Sequence, residues 1–290
     1  MHRNLTNLAL VFGLLWVITA CVCPAGRGGE VSDPDTRGPA NEKGSAPPKS
    51  GPVTKNKDSG DFTVEHVAVT NAKYAELDRA VRQEKLLENA AAQLNQALIL
   101  PYNIVLRTKD CGEVNAFYQS DDHSVTVCYE LMEHFFKIFK SAGLSDNEAN
   151  QKMLDAIRFA FLHEIGHALI DTYKLPVMGN EEDAADRCSA YVNLEELGPE
   201  GVNAVLAAAD AFNIESKMVA QDKRNLADEH LLQEQRFYNS LCMTYGSNTS
   251  KYGYLVSKGY LPKARADRCE SEYARTVDSW KNLLAPWRKK

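Results

Sequence analysis

Two histidines and a glutamate in this 290-residue chain have a spacing typical of metal chemistry. His163, Glu164 and His167 stand in the pattern His-Glu-x-x-His. At about 3.6 residues per helical turn, both imidazoles project from one face and can bind one metal ion. Glu164 then lies beside the open coordination position, where a carboxylate can take a proton from water. Because the pattern is short, two histidines without a metal remain the alternative.

A tight zinc site needs a third ligand, and a later segment offers one. Glu182 and Asp186 are four residues apart, on one face of a predicted helix. Glu182 would complete a site of two histidines and one glutamate, with water in the fourth position. Asp186 would accept the second ring proton of a metal-bound histidine. The competing acids Glu181 and Asp183 are expected to point elsewhere on that helix, and the helix dipole alone would also favour an acidic first turn. We therefore predict one Zn²⁺ ion, held by both histidines and Glu182.

The elements that must position these residues follow from hydrophobic periodicity and capping. Ser145 and Glu148 form a capping box that opens a long helix, which carries the His-Glu-x-x-His pattern. Short β-branched or aromatic segments before it predict strands, and helical patterns follow it. The predicted strands span 62–70, 103–107, 114–118 and 124–128, and the predicted helices span 71–98, 130–141, 145–172, 181–197, 199–219, 229–245 and 262–284. The pattern indicates an α+β fold: a small mixed β-sheet with the active-site helix, followed by an all-helical C-terminal subdomain.

Several segments together resemble the gluzincin metallopeptidases, the group that contains thermolysin and neprilysin, and most closely an uncharacterised bacterial family of metallopeptidases. They are HEIGH at 163–167, the Glu182 and Asp186 pair, and VNAFY at 114–118. The resemblance implies a zincin-like fold and an edge strand that aligns a peptide substrate, with Asn115 and Ala116 binding its backbone. An exposed strand edge supplies sequence-tolerant hydrogen bonds to an extended chain. A core strand of a hairpin would have the same sequence pattern.

A further segment, ADEHLLQEQRF at 227–237, has the spacing found in neprilysin-like enzymes. By that resemblance, His230 would hydrogen-bond the oxyanion of the tetrahedral intermediate and Asp228 would orient His230. Arg236 would hold a substrate carbonyl. A donor to the oxyanion is worth about 3 kcal/mol in a dry cleft. Without the resemblance, His230 and Arg236 would be predicted to form a polar helix face.

The N-terminal residues have the composition of an export signal. Residues 1–20 combine Arg3 with an apolar run that is shorter than the roughly 20 residues needed to cross a bilayer. The segment ITAC resembles a bacterial lipobox, which implies that lipid is attached to Cys21; a simple secretory signal is the alternative. Residues 21–60 are rich in proline and glycine and lack aromatic residues, which predicts a disordered tether. The chain is therefore expected in the bacterial cell envelope, exported and lipid-anchored on the periplasmic or outer-membrane side, or secreted if no lipid is attached.

Export would permit disulfide bonds in the globular domain. That domain is expected at 61–290, with an α+β half at 61–173 and a helical half at 174–290. Cys111 and Cys128 flank two predicted strands whose ends approach each other, and Cys242 and Cys269 bracket a loop between two predicted helices. We predict a bridge within each pair, worth roughly 3 kcal/mol; buried reduced cysteines are the alternative. Cys188 would be a core residue of a helix.

Charge and composition limit the function classes. The chain has 33 basic and 39 acidic residues and a net charge of -6, which argues against a basic surface that binds nucleic acid. We predict a zinc metallopeptidase that hydrolyses peptides or unfolded proteins and reaches the membrane through its N-terminal lipid anchor. The main alternative is a catalytically inactive, zinc-bound envelope lipoprotein that binds peptides. A structural lipoprotein with fortuitous ligands is a third possibility.

Overall fold

Four strands form one mixed sheet in the computed structural model, which describes residues 57–290. They are β1 (Phe62–His66), β2 (Ile104–Lys109), β3 (Ala116–Gln119) and β4 (Ser124–Cys128). Their order across the sheet is β1-β2-β4-β3. β1, β2 and β4 are parallel, and β3 runs antiparallel to β4. β3 therefore lies at one edge of the sheet.

The centre of the sheet is its most buried part. Along β2, buried residues alternate with half-buried ones, whereas all five residues of β4 are buried. A strand that is covered on both faces is expected to be continuously apolar or β-branched, as the β4 sequence SVTVC is. The residues of β3, by contrast, are half-buried or exposed. β3 is therefore an edge strand whose residues are more accessible than those of the central strands β2 and β4.

Ten α-helices make up most of the remaining described chain. They are α1 (Ala75–Gln83), α2 (Leu86–Ala97), α3 (Tyr129–Ser141), α4 (Asp146–Tyr173), α5 (Glu181–Glu196), α6 (Gly198–Ser216), α7 (Gln233–Ser247), α8 (Tyr254–Ser257), α9 (Lys263–Ala266) and α10 (Cys269–Leu284). α2, α3 and α4 contact the sheet, while α5, α6 and α7 contact one another. Every named element after β4 is helical. The predicted α+β fold with a helical C-terminal region is confirmed.

α4 connects the sheet to the helical region. The Ser145 hydroxyl accepts from the Glu148 N–H, and the Glu148 carboxylate accepts from the Ser145 N–H, so the predicted capping box is confirmed. α4 packs against β3 and β4 and also against α5 and α6. The five consecutive residues from Leu162 to Gly166 are buried, as is expected for a helix covered on several sides.

Three predicted helices differ from the observed ones. The helix predicted at 71–98 is interrupted at Lys85, whose φ of 51° is left-handed, and gives α1 and α2. Its apolar repeat nevertheless continues, because Val81 and Leu87 enter the same core. The helix predicted at 262–284 is divided into α9 and α10, and the helix predicted at 229–245 begins only at Gln233. The predicted strand at 62–70 ends at His66.

Both predicted disulfides are present. Cys111 and Cys128 have their Cα atoms 5.5 Å apart, and Cys242 and Cys269 have theirs 5.0 Å apart. The first bridge joins the segment before β3 to the end of β4, and the second joins α7 to the start of α10. Cys188 is unbridged and buried in α5, as predicted.

The predictions on the N-terminal sequence fall largely outside the described residues. The export signal at 1–20, the lipidation at Cys21 and most of the tether at 21–60 precede residue 57. Among residues 57–290, no helix is both long enough and apolar enough to cross a bilayer.

Candidate metal centre and active-site cleft

The two histidines of the His-Glu-x-x-His pattern meet at the wall of a cleft. His163 and His167 are one turn apart on α4, and their Nε2 atoms are 3.1 Å apart. The side chain of His163 is 5% exposed and that of His167 is 13% exposed. The helical spacing therefore directs both imidazoles to one point, with His167 on the side nearer solvent.

α5 brings a carboxylate to the same point. Asn180 precedes this helix and accepts the Glu182 N–H at 2.7 Å with its Oδ1 atom, so Glu182 stands in the first turn. Glu182 Oε2 lies 3.0 Å from His163 Nε2 and 3.4 Å from His167 Nε2. The structure thus brings together the three residues that the sequence analysis proposes as ligands.

A glycine allows α4 and α5 to approach closely. A Cβ atom at Gly166 would lie 3.1 Å from the Cα of Ala185 and 3.1 Å from the Cβ of Cys188. Contacts this short would force the neighbouring atoms to shift. Gly166 lies between the two histidines, and Ala185 follows Glu182 by one turn. The missing side chain therefore helps to hold the histidines and Glu182 within contact distance.

The positions of the three ligand atoms fit a zinc ion. Tetrahedral ligands at about 2.0 to 2.2 Å from zinc lie roughly 3.3 to 3.6 Å from one another. The observed separations are 3.0, 3.1 and 3.4 Å, so the atoms need only a small outward movement. Two imidazoles and one carboxylate also leave a fourth position for a solvent molecule, as catalytic zinc sites do.

Each histidine has a carboxylate on its other ring nitrogen. His163 Nδ1 lies 2.8 Å from Asp186 Oδ1, and His167 Nδ1 lies 2.9 Å from Glu181 Oε1. Arg236 donates to both oxygens of Asp186 at 2.8 Å. The expectation that Glu181 points away from the site is wrong, because its position at the start of α5 places it beside His167. Such partners fix the ring orientation and raise the basicity of a metal-binding histidine.

Burial and hydrogen bonding shift the pKa values of the carboxyl groups around the histidines in opposite directions. Burial opposes charge on His163, but its hydrogen bonds to Asp186 and Glu182 outweigh burial and raise its pKa to about 9. Burial also opposes charge on Glu182 and Asp186; nevertheless, the histidines, and for Asp186 the nearby Arg236, hold the pKa of both carboxyls far below the usual range. Burial raises the pKa of Glu164. Glu164 is therefore the carboxylate of this group that binds a proton most readily.

Glu164 contacts the edge strand of the sheet. The backbone N–H of Tyr118 donates to Glu164 Oε2 at 2.9 Å. The Cys128 N–H donates to the Asn115 carbonyl across the ladder, and hydrogen-bonded pairs alternate with non-bonded pairs in antiparallel strands. Ala116 and Tyr118 therefore direct their backbone groups toward the open edge. Glu164 accepts the N–H of Tyr118, whereas the N–H and C=O groups of Ala116 point toward the cleft.

His230 lies in the loop before α7, rather than on the helix face predicted from sequence alone. Its Nε2 atom is 2.8 Å from Glu182 Oε2. Its backbone N–H donates to Asp228 Oδ1 at 2.9 Å, and its Nδ1 atom is 3.4 Å from the same oxygen. The side chain is 46% exposed. The loop therefore places His230 at the rim of the cleft, with Asp228 beside it.

Two cavities meet at Glu164. The first, of about 760 Å³, extends over the histidines, Glu182 and His230 and along β3. The second, of about 440 Å³, also reaches His163, Glu164 and His230, and its walls combine apolar with polar and charged side chains. Those walls include Leu131, Phe135, Phe159, Ala160 and Phe212. Arg236 lines the second cavity, where its guanidinium lies 4.2 Å from the centre of the Phe212 ring.

Residues 66–284 match the model of a family described as "Putative metallopeptidase". The match covers more than half of the chain and includes every residue of the candidate centre. The chain belongs to this family. Neither a curated protein nor a solved structure matches it. Membership suggests a metal ion and hydrolysis of peptide bonds. Among the described residues, His163, Glu182 and His230 place ligand atoms close enough to hold one ion, and His167 Nε2 lies 3.1 Å from His163 Nε2.

Two contacts in this metallopeptidase family member are missed by the sequence analysis. The bond from the Tyr118 N–H to Glu164 depends on how β3 packs on α4, which no local pattern encodes. The sequence indicates the bond between Glu181 and His167 only in part, because Glu181 directly precedes the proposed ligand Glu182. The rotation of α5 about its axis decides which acid of its first turn reaches which histidine. That rotation is a tertiary property.

Proposed function

We propose that the chain is a gluzincin-type zinc peptidase that hydrolyses peptides or unfolded proteins. The main support is the convergence of His163 Nε2, His167 Nε2 and Glu182 Oε2 within 3.4 Å, with Glu164 beside them. Zn²⁺ bound by these atoms would polarise the scissile carbonyl and lower the pKa of a water molecule. The open edge of β3 and the family membership agree with a peptide substrate.

Glu164 is the general base of the proposed reaction. It takes a proton from the attacking water and passes it to the amine nitrogen as the carbon–nitrogen bond breaks, so that the leaving group departs as a neutral amine. Its burial raises its pKa above the usual carboxyl value, which makes it a stronger base for the first step, the uptake of a proton from water. The hydrogen bond from the Tyr118 N–H holds Oε2, so the carboxylate keeps one orientation between the strand and the histidines.

The substrate binds as an extended chain along β3. The outward-facing peptide groups of Ala116 can pair with its backbone, and Asn115 lies beside them on the cleft wall. Backbone pairing of this kind tolerates many sequences. The second cavity, next to Glu164, can bury a substrate side chain against its apolar wall, beside the scissile bond.

His230 stabilises the oxyanion that forms on the carbonyl oxygen. It lies at the rim, close to the ligand atoms, and Asp228 holds its ring through Nδ1. A preorganised donor stabilises the negative charge that develops on the carbonyl oxygen. Arg236 is engaged with both oxygens of Asp186. We therefore propose that Arg236 positions Asp186 and does not hold a substrate carbonyl, which is the role that the gluzincin resemblance implies.

The proposed enzyme works in the bacterial cell envelope. The N-terminal sequence supports export, with lipid on Cys21 and a tether at 21–60. Two disulfides in the globular part agree with an oxidising compartment. Labelling bacteria with a radioactive fatty acid should label the wild-type chain and leave a Cys21→Ala variant unlabelled. Equal labelling of both proteins would refute attachment at Cys21.

Replacing the general base tests the proposed reaction. Glu164→Gln should retain stoichiometric zinc, because Glu164 is not a proposed ligand, and should lose casein hydrolysis by a factor of about 10² to 10⁴. The control is Glu270→Gln, which makes the same change at an exposed position in the first turn of α10. Undiminished hydrolysis by the Glu164 variant would refute the mechanism. Zinc and peptide binding without turnover by the wild type would instead indicate the peptide-binding lipoprotein.

A further inference from the structure

One side chain, Asn180, connects the start of α5 to the loop that carries His230. Its Oδ1 atom accepts the N–H of Glu182 at 2.7 Å and that of Asp183 at 3.3 Å. Its Nδ2 atom donates to the carbonyl of Glu229 at 2.6 Å. The two halves of a single amide group thus bind two separate segments. One is the first turn of α5, and the other is the loop at Glu229, which lies 49 residues further along the chain than Asn180.

Each of these segments carries a functional side chain next to the bond. Glu182, the proposed carboxylate ligand, uses its own N–H to bind Asn180. Glu229 directly precedes His230 in the chain. The distance between Glu182 Oε2 and His230 Nε2 is 2.8 Å. A shift of the loop relative to α5 would therefore change the position of His230 against the ligand atoms directly.

The contacts of His230 within its own loop cannot fix this position. Asp228 binds both the backbone and the ring of His230, yet Asp228 belongs to the same loop and would move with it. The ring of His230 is also nearly half exposed. The bond from Asn180 to Glu229, in contrast, joins the loop backbone to a residue that is part of the α5 cap.

We infer that Asn180 is a positioning residue that sets the placement of His230 relative to Glu182. It has two separable actions, because the acceptor atom caps α5 and the donor group holds the loop. The catalytic part of the inference rests on the proposed function; the structural part, that Asn180 holds the loop, does not.

Two substitutions separate the actions of Asn180 in the full-length protein. Asn180→Ser keeps a good helix-capping oxygen on a shorter side chain that lacks the Nδ2 group donating to Glu229, whereas Asn180→Ala removes both functions. With Asn180→Ser, we expect the zinc dissociation constant to stay within about three-fold of the wild-type value. We expect kcat to fall about 10-fold with little change in KM, since displacement of a catalytic group by about 1 Å can cost up to 10²-fold.

A double-mutant cycle shows whether Asn180 acts through His230. In a His230→Ala background, Asn180→Ser should reduce kcat no further, because the side chain that it positions is gone. A general structural defect would reduce kcat by the same factor in both backgrounds. That second outcome would overturn the positioning role.

Amide hydrogen exchange tests the same connection without zinc or substrate. In Asn180→Ser, the released loop should open more often and break the bond from the His230 N–H to Asp228, so exchange at the His230 amide should accelerate several-fold while exchange at Glu182 stays slow. In Asn180→Ala, both amides should exchange faster. Asn71→Ala is the matched control, since Asn71 caps a 3₁₀ turn elsewhere with its side chain and should change neither amide. Unchanged exchange at His230 in both Asn180 variants would refute the inference. A wild-type protein that binds no zinc and cleaves no peptide would refute the proposed function and leave this exchange result as the test of the loop connection.

Discussion

The two sides of the candidate metal centre use the same kind of contact in different surroundings. His163 and His167 each place Nδ1 beside a carboxylate, at 2.8 and 2.9 Å. The carboxylate next to His163, Asp186, is 16% exposed and is bound by Arg236 through two hydrogen bonds. The carboxylate next to His167, Glu181, is 52% exposed. Equal distances therefore do not imply equal contributions.

Solvent accessibility explains the difference. A charge that is removed from water interacts strongly with its partners but is costly if one partner is lost. A charge that remains in water is screened and contributes little, typically below about 1 kcal/mol. We therefore expect the His163 side to determine both metal affinity and folding stability, and the His167 side to adjust metal affinity alone.

The largest effect is expected for Asp186→Asn. An asparagine has one acceptor oxygen, so it can serve either His163 or Arg236, and its NH₂ group then faces the other donor. We expect zinc affinity to fall about 100-fold and the free energy of unfolding to fall by roughly 3 kcal/mol, because Arg236 loses a buried partner. Zinc competition against a chromogenic chelator and denaturant unfolding measure the two quantities.

The chain offers a matched control for this substitution on the same helix. Asp183 pairs with Arg187 at 2.7 Å, and both side chains are about 30% exposed. Asp183→Asn should cost less than about 1 kcal/mol and leave zinc affinity unchanged. If the two aspartate variants are equally stable, the pair of Asp186 and Arg236 contributes no more to stability than an exposed pair. The proposed difference between the two sides of the centre would then be wrong.

A smaller effect is expected for Glu181→Gln. The amide can still accept from His167 Nδ1, but it no longer adds a negative charge beside the ring. We expect zinc affinity to decrease up to about 10-fold, while the free energy of unfolding changes by less than about 0.5 kcal/mol. The same two measurements apply, and a stability loss as large as that of Asp186→Asn would contradict the assignment of Glu181 to the weakly coupled side.

The smallest expected effect, which best distinguishes the two carboxylates, is the change of zinc affinity with salt concentration. At 1 M ionic strength the screening length falls to about 3 Å, which weakens exposed charges far more than buried ones. The ratio of zinc affinities between wild type and Glu181→Gln should shrink toward one at high salt, whereas the ratio for Asp186→Asn should persist. Titrations at low and high NaCl compare the two ratios, and a parallel collapse of both would mean that the two carboxylates are equally solvated.

The sequence predicts those parts of the molecule that depend on local rules. The capping box at Ser145 and Glu148 is encoded within four residues, so the start of α4 is predicted correctly. The helical spacing of His163 and His167 likewise fixes the direction of their side chains. The hairpin of β3 and β4 brings Cys111 and Cys128 together, as expected from turn residues between two short apolar segments.

The features that the sequence does not predict depend on contacts between elements. The start of α7 is predicted too early, because the Glu229 carbonyl, which a helix beginning there would use internally, accepts from Asn180 at the start of α5. The pairing of Arg236 with Asp186 joins residues 50 positions apart. The interruption at Lys85 is hidden because the apolar periodicity continues through it.

The near-contact of α4 and α5 at Gly166 has a consequence for which cations the centre can hold. A Cβ atom at Gly166 would lie 3.1 Å from the Cα of Ala185, so the two helices are closely packed there, and close packing opposes a change in their separation. A cavity with walls of this kind cannot widen easily for an ion of larger radius. We therefore expect the site to discriminate among divalent cations mainly by size, and to hold a bulky ion such as Cd²⁺ less well than its affinity for nitrogen and oxygen donors alone would suggest.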